Sequence, residues 1–183
     1  MRILLARHGE TEWSANGRHT STTDLPLTAR GREAARTLGE RLQGREFALV
    51  LSSPRARAKA TAELAGLTPE IEPDLVEIDY GEYEGRTTPE IREEQPGWTV
   101  WTHPAPGGET LAHAAERADR VIARALAAGG DVALFSHGHF LRILAARWLE
   151  LPPERGRSFL LETATLSELG FERETHVLAR WNG

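Results

Sequence analysis

Two histidines in this chain directly follow short apolar runs. RILLA, residues 2–6, leads into Arg7-His8-Gly9, and DVALF, residues 131–135, leads into Ser136-His137-Gly138-His139. A third run, FALVL at 47–51, ends in Ser52-Ser53-Pro54 ahead of Arg55 and Arg57. Charged groups are rarely left at the end of a core strand unless something there needs them. A neutral imidazole, with an ordinary pKa of about 6.5, is a competent nucleophile. It can attack a phosphoryl group and hold it as an N–P intermediate. A second histidine, if protonated, would bind the phosphoryl oxygens. Guanidinium forks suit the same oxygens. A proton donor for the leaving alkoxide must come from elsewhere, and LVEIDYGEYEG offers Glu77, Asp79, Glu82 and Glu84. A carboxyl beside a bound phosphate has its pKa raised by like charge, which suits a general acid.

The elements that would position these groups follow from pattern. The three apolar runs read as buried strands. Residues 8–27 read as a long loop. Thr28 is a candidate N-cap for an amphipathic helix carrying Ala34, Ala35, Leu38 and Leu42. The spacing predicts further helices from Arg55 to Gly66, over 110–128 and over 140–149. A short strand is expected near Pro73 and a helical turn over 89–94. Residues 165–171 and 176–181 read as a closing pair of strands. The Pro-, Gly- and Trp-rich stretch 94–108 has no clear period and reads as a surface excursion. Alternating strands and helices argue for an α/β layer fold with a largely parallel sheet. In such a sheet the carboxyl ends of parallel strands form the ligand crevice. Helix N-termini there add N–H groups and partial positive charge. Both histidines and at least two arginines then converge on one anion-binding mouth.

Composition narrows the possibilities. The chain has 183 residues, 40% hydrophobic and 27% charged, and reads as a single domain, 1–183. A net charge of −5 argues against a general nucleic-acid binder. There is no cysteine, so disulfides, thiolate metal sites and cysteine nucleophiles are excluded. With no bilayer-length apolar run and no signal peptide, the expectation is a cytoplasmic protein without a membrane partner.

RHGET at 7–11, SSPRARAKATA at 52–62, the Glu77-x-x-Tyr80-Gly81 segment and SHG at 136–138 together resemble the histidine phosphatase superfamily. That family includes the cofactor-dependent phosphoglycerate mutases and many small phosphatases. The resemblance spans nearly the whole chain. It implies a three-layer α/β/α sandwich, no cofactor and no metal. It implies His8 as the phosphorylated nucleophile, Arg7 and Arg57 as phosphate-binding arginines, and His137 as the second pocket histidine. It implies Glu77 as the acid and Gly138 as a backbone N–H donor. Arg55 stands where the family usually has leucine and is expected to point elsewhere. The family's common Trp-Asn is Trp13-Ser14 here, which leaves Ser14 one hydrogen bond to donate to phosphate. Thr20-Ser21 replaces a frequent glycine-containing pair. Arg18, Thr20, Tyr80 and His139 are candidate substrate contacts. Trp98, Trp101 and His103 either line a lid, in a short cap around 80–110, or pack a cluster beneath it. His19, His113 and His176 read as ordinary surface residues.

The reading is a phosphatase acting on a small phosphorylated metabolite. A mutase is a rival, but the stretch 83–107 is short and its arginines, Arg86 and Arg92, are not adjacent as mutase carboxylate-binding arginines are. A phosphohistidine protein phosphatase is a second rival, and a non-catalytic phosphate-binding module is a third.

Overall fold

A computed structural model describes all residues, 1–183. Six strands form one sheet: β1 (Ile3–Arg7), β2 (Leu49–Ser52), β3 (Glu70–Ile71), β4 (Val132–Ser136), β5 (Leu166–Glu172) and β6 (Thr175–Arg180). Their spatial order is β3-β2-β4-β1-β5-β6. The first four are mutually parallel, while β5 runs antiparallel to β1 and β6 antiparallel to β5. Central β4 registers Ser136 against Arg7 of β1, so the two histidines that follow leave the sheet side by side.

Period-two alternation explains the layers. Ile3 and Leu5 of β1 and Val132 and Leu134 of β4 pack with α5 (Leu111–Ala127) and α6 (Gly138–Trp148). Leu4, Ala6, Ala133 and Phe135 point the other way, toward α2 (Ala29–Leu42) and α3 (Ala56–Leu64). Both faces of the sheet are therefore covered, which near-continuous apolar strands require. Two short helices, α1 (Glu12–Ala15) and α4 (Thr88–Glu94), lie in the connections.

The long loop expected over 8–27 is interrupted by α1. Its Thr11 accepts from the Ser14 N–H while the Ser14 hydroxyl accepts from the Thr11 N–H, a reciprocal cap that serine and threonine supply at this spacing. The strand expected near Pro73 is reduced to Glu70–Ile71, because Pro73 starts a 3-10 turn over Pro73–Leu75. Residues 94–108 are less superficial than their composition suggests. Trp98 is 1% exposed and joins the larger core cluster beside Tyr83 and Ile91. Gly81 makes this docking feasible: its φ is +48°, and a Cβ there would stand 2.2 Å from the Pro106 carbonyl oxygen.

Candidate active site

The carboxyl ends of β1 and β4 open into a cavity of about 160 Å³. That is below the range of roughly 300–1,000 Å³ usual for drug-sized ligands and suits a compact ester. Arg7, His8, Glu77 and Gly138 form its inner wall, and Tyr80 and His139 continue it outward.

His8 is 5% exposed, and its Nδ1 lies 2.7 Å from the Gly9 carbonyl oxygen. A carbonyl only accepts, so Nδ1 carries the proton and Nε2 keeps its lone pair. Burial, followed by the charges of Arg7 and Arg57, holds the His8 pKa well below the ordinary histidine value. The ring is thus held neutral, with its one free lone pair on Nε2.

Arg7 donates from Nη1 to the Leu161 carbonyl at 2.6 Å, and its buried Nε has no partner. A Cβ on Gly138 would come within 3.3 Å of the Arg7 guanidinium, so glycine leaves the fork room beside the helix start. As the first residue of α6, Gly138 has no intrahelical acceptor for its N–H.

Glu77 is held by backbone alone. Its Oε1 accepts from the N–H groups of Ile78 (3.0 Å) and Phe140 (2.8 Å), and its Oε2 from that of His139 (3.0 Å). It therefore caps α6 from a distant segment, since the local N-cap residue His137 makes no capping bond. Burial raises its pKa; the three N–H donors and Arg7 act in the opposite direction.

His137 and Arg57 are fully buried and stand behind the cavity wall rather than in it. Arg57 donates from Nε to His137 Nδ1 at 3.2 Å. Its Nη1 reaches the Thr23 carbonyl, and its Nη2 reaches those of Thr20 and Ser21. Because Nδ1 of His137 accepts, Nε2 carries the proton and donates to Ser53 Oγ at 2.8 Å. Burial and Arg57 hold its pKa well below the ordinary value, so the condition under which the second histidine would bind as a cation is not met. The His8 and His137 rings lie 5.2 Å apart, centroid to centroid.

Ser14 lines the cavity, but its hydroxyl donates to the Thr11 carbonyl at 3.0 Å, so its one donor is engaged in the α1 cap instead of facing phosphate. Arg18 and Thr20 also line the cavity; Arg18 Nη1 donates to the Gly85 carbonyl at 2.6 Å. The Tyr80 hydroxyl lies 2.6 Å from His139 Nδ1. Burial pushes the tyrosine pKa well up and that of His139 well down, so the phenol donates and the imidazole accepts. Arg55 does point elsewhere, into a neighbouring cleft beside Ser21 and Thr22.

The sequence places His19 at the surface, whereas the structure puts it in the cavity wall, 4.7 Å from the Tyr80 ring and 5.3 Å from that of Trp98. Burial lowers its pKa to about 4. His176 is also drawn inward and stacks on Trp148 at 4.2 Å. His113 is exposed, as its sequence context implies. Arg142 and Leu161 line the cavity too, and sequence reasoning misses both. Arg142 follows Gly138 by four residues, one helical turn on the same face, which is a legible signal. Leu161 precedes β5 and has no sequence signal. Trp101 packs against His139 and Arg142, and His103 stays exposed.

Comparison with known proteins places this geometry. Residues 3–183 match the description "Histidine phosphatase superfamily (branch 1)". The chain is 48% identical over 183 residues to an acid phosphatase of Mycobacterium tuberculosis, covering 97% of this chain and 90% of that protein. It is 34% identical over 185 residues to sedoheptulose 1,7-bisphosphatase of Saccharomyces cerevisiae, covering 82% of this chain and 68% of the yeast protein. The solved structure of the open reading frame Rv3214 from Mycobacterium tuberculosis superposes with a TM-score of 0.95 at 46% identity, covering 99% of this chain and 96% of that one.

Proposed function

The chain belongs to the histidine phosphatase superfamily, and from that premise we propose that it hydrolyses small phosphomonoesters through a phosphohistidine on His8. The observation that carries this reading is the fixed tautomer of His8: Nδ1–H is tied to Gly9, and the free Nε2 stands in a cavity shared with Arg7 and Glu77. Names borne by relatives, an acid phosphatase and a sugar bisphosphatase, support phosphoester chemistry.

Nε2 attacks phosphorus, forming the N–P bond as the P–O bond to the leaving group breaks. The Arg7 fork and the Gly138 N–H hold phosphoryl oxygens. Glu77, kept protonated to higher pH by burial, gives its proton to the leaving oxygen. Water then attacks phosphorus, surrendering a proton to the Glu77 carboxylate, and the N–P bond breaks to free phosphate. Arg57 acts one step back: it orients His137 and pins the 20–23 loop that forms the cavity rim. No step calls on a metal or a cofactor.

Arg86 and Arg92 favour hydrolysis over a mutase reaction. Arg86 pairs with Glu94 at 2.7 Å, and Arg92 donates to the Trp98 carbonyl at 2.9 Å, so neither reaches the cavity.

Rapid quench of the enzyme mixed with a phosphomonoester should trap an acid-labile phosphoryl group on His8. His8→Ala should lose turnover by about 10⁴-fold or more with an unchanged circular dichroism spectrum. Normal hydrolysis by that variant refutes the mechanism. Isomerisation of 3-phosphoglycerate with little phosphate release, with or without added bisphosphate, would replace hydrolysis by the mutase reading.

A further inference from the structure

The phosphoryl chemistry above uses Arg7 and leaves another cavity arginine, Arg142, without a task. Arg142 lies on α6 one turn beyond Gly138 and lines the cavity beside His139 and Tyr80. It is held in place by three contacts. Nε donates to the Gly156 carbonyl at 3.1 Å, Nη2 donates to the Arg157 carbonyl at 3.1 Å, and the guanidinium lies 4.6 Å from the Trp101 ring centroid. Gly156 fits this clamp closely, since a Cβ there would stand 2.8 Å from the Trp101 ring and 3.0 Å from the Arg142 carbonyl oxygen.

None of these partners is a carboxylate, so the positive charge of Arg142 is uncompensated by its own contacts. Nη1 donates to no protein atom, and it is not sealed from solvent. An arginine already immobilised by two carbonyls and a ring face loses little freedom when a ligand takes its remaining donors. Arg18 lies in the same wall; only its Nη1 has protein partners, the Gly85 carbonyl and, at 3.4 Å, Glu90. Against Arg7, Arg18 and Arg142 the cavity wall sets one carboxylate, Glu77. A single phosphoryl group on Arg7 leaves the Arg142 guanidinium without an anionic partner and Arg18 with Glu90 alone, at 3.4 Å.

We propose that Arg142, seconded by Arg18, receives a second anionic group of the substrate, a carboxylate or another phosphoryl, carried on the leaving group. The small cavity places that anion within a few atoms of the scissile phosphoryl. The inference rests on the phosphatase reading of the same cavity, and its test is independent of turnover.

Phosphonates provide it, because their C–P bond has no leaving oxygen and survives this chemistry. Titration calorimetry should show phosphonoacetate or methylenebisphosphonate binding about tenfold or more tighter than methylphosphonate. Preference for phosphonoacetate identifies a carboxylate, and preference for methylenebisphosphonate a second phosphoryl. Arg142→Gln should collapse the preference to about twofold or less, and Arg142→Lys should fall between, because lysine keeps charge and loses the stacked fork. Arg41→Gln, which removes an equal charge from the exposed face of α2, should keep the preference. The inference is overturned if the unaltered chain favours the ligands with two anionic groups less than about fivefold, or if the preference survives Arg142→Gln. A chain that shows the preference yet releases no phosphate from any monoester refutes the phosphatase reading and leaves the anion subsite standing.

Discussion

Glu77→Gln separates the cap that Glu77 forms in the structure from the acid role proposed for the same carboxyl. As a cap, Glu77 accepts three backbone N–H bonds, two on Oε1 and one on Oε2. A glutamine can keep its carbonyl oxygen toward Ile78 and Phe140, but its NH₂ then faces the His139 N–H, donor against donor. The His139 N–H is left without its acceptor, which costs about 1.5–3 kcal/mol. In a domain of this length that corresponds to a fall in Tm of roughly 3–12 °C. As an acid, Glu77 matters most where the leaving oxygen is basic. Turnover of an alkyl phosphate should fall about 10²–10⁴-fold, and turnover of an aryl phosphate with an acidic phenol should fall far less. Thermal unfolding and steady-state kinetics on the two esters read the roles separately. Equal losses on both esters would refute proton donation by Glu77, and an unchanged Tm would refute the capping account.

Four imidazoles, His8 and His137 buried and His19 and His139 half-buried, set the pH dependence of stability. His8, His137 and His139 have pKa values well below 6.5 and His19 about 4, so the unfolded chain binds more protons as pH falls below 6.5. Stability is complete above that value and should drop on acidification, each ring adding up to about 1.4 kcal/mol per pH unit, measured by urea unfolding. The raised pKa of Glu77 acts with opposite sign between its ordinary value and its folded one, where stability falls as pH rises. The same shifts should place the maximum of kcat/KM on the acid side of neutrality: His8 stays unprotonated there while Glu77 keeps its proton. Gly31→Ala would drive a Cβ to 2.2 Å from the Glu10 carbonyl oxygen and should cost about 1–3 kcal/mol by chemical denaturation. Arg117→Ala would strip a 5%-exposed guanidinium from Glu109 and from the carbonyls of Asp74 and Val76, leaving the half-buried carboxylate with His113 as its remaining partner; about 1.5–3 kcal/mol should be lost in the same assay.

Fold class is legible in the sequence because both faces of the central strands are buried, which leaves near-continuous apolar runs that end abruptly in polar residues. Strand-end position then makes Arg7, His8 and Gly138 readable as a group. Rings on the cavity wall are harder. His19 has no periodicity around it and is half-covered by Tyr80 and Trp98, residues about sixty and eighty positions away. Trp98 is hidden for the same reason: its burial depends on how an aperiodic segment docks on the Gly81 turn. Arg57 and Ser14 depart from expectation for a different cause. Residue type says what a side chain could donate, but competing backbone carbonyls decide where it does, and here those acceptors lie at 20–23 and at Thr11.

That competition bears on the chemistry itself. A protonated histidine pair beside two arginines would place four positive charges in one buried volume, a costly arrangement before any phosphate arrives. The structure avoids it by making each imidazole an acceptor or a donor of fixed sense: His8 donates to Gly9, and His137 accepts from Arg57 and donates to Ser53. The arginines keep the charge, and their field helps hold His8 neutral. In the proposed mechanism Arg7 therefore couples anion binding to the protonation of the nucleophile, while Arg57 acts on His8 through its field alone. Weakening either arginine should let His8 take up a proton at higher pH, and weakening Arg7 should also loosen phosphate. The acid limb of the kcat/KM profile for Arg57→Gln should shift toward neutrality even though Arg57 does not line the cavity; an unmoved limb would show that burial alone keeps His8 neutral.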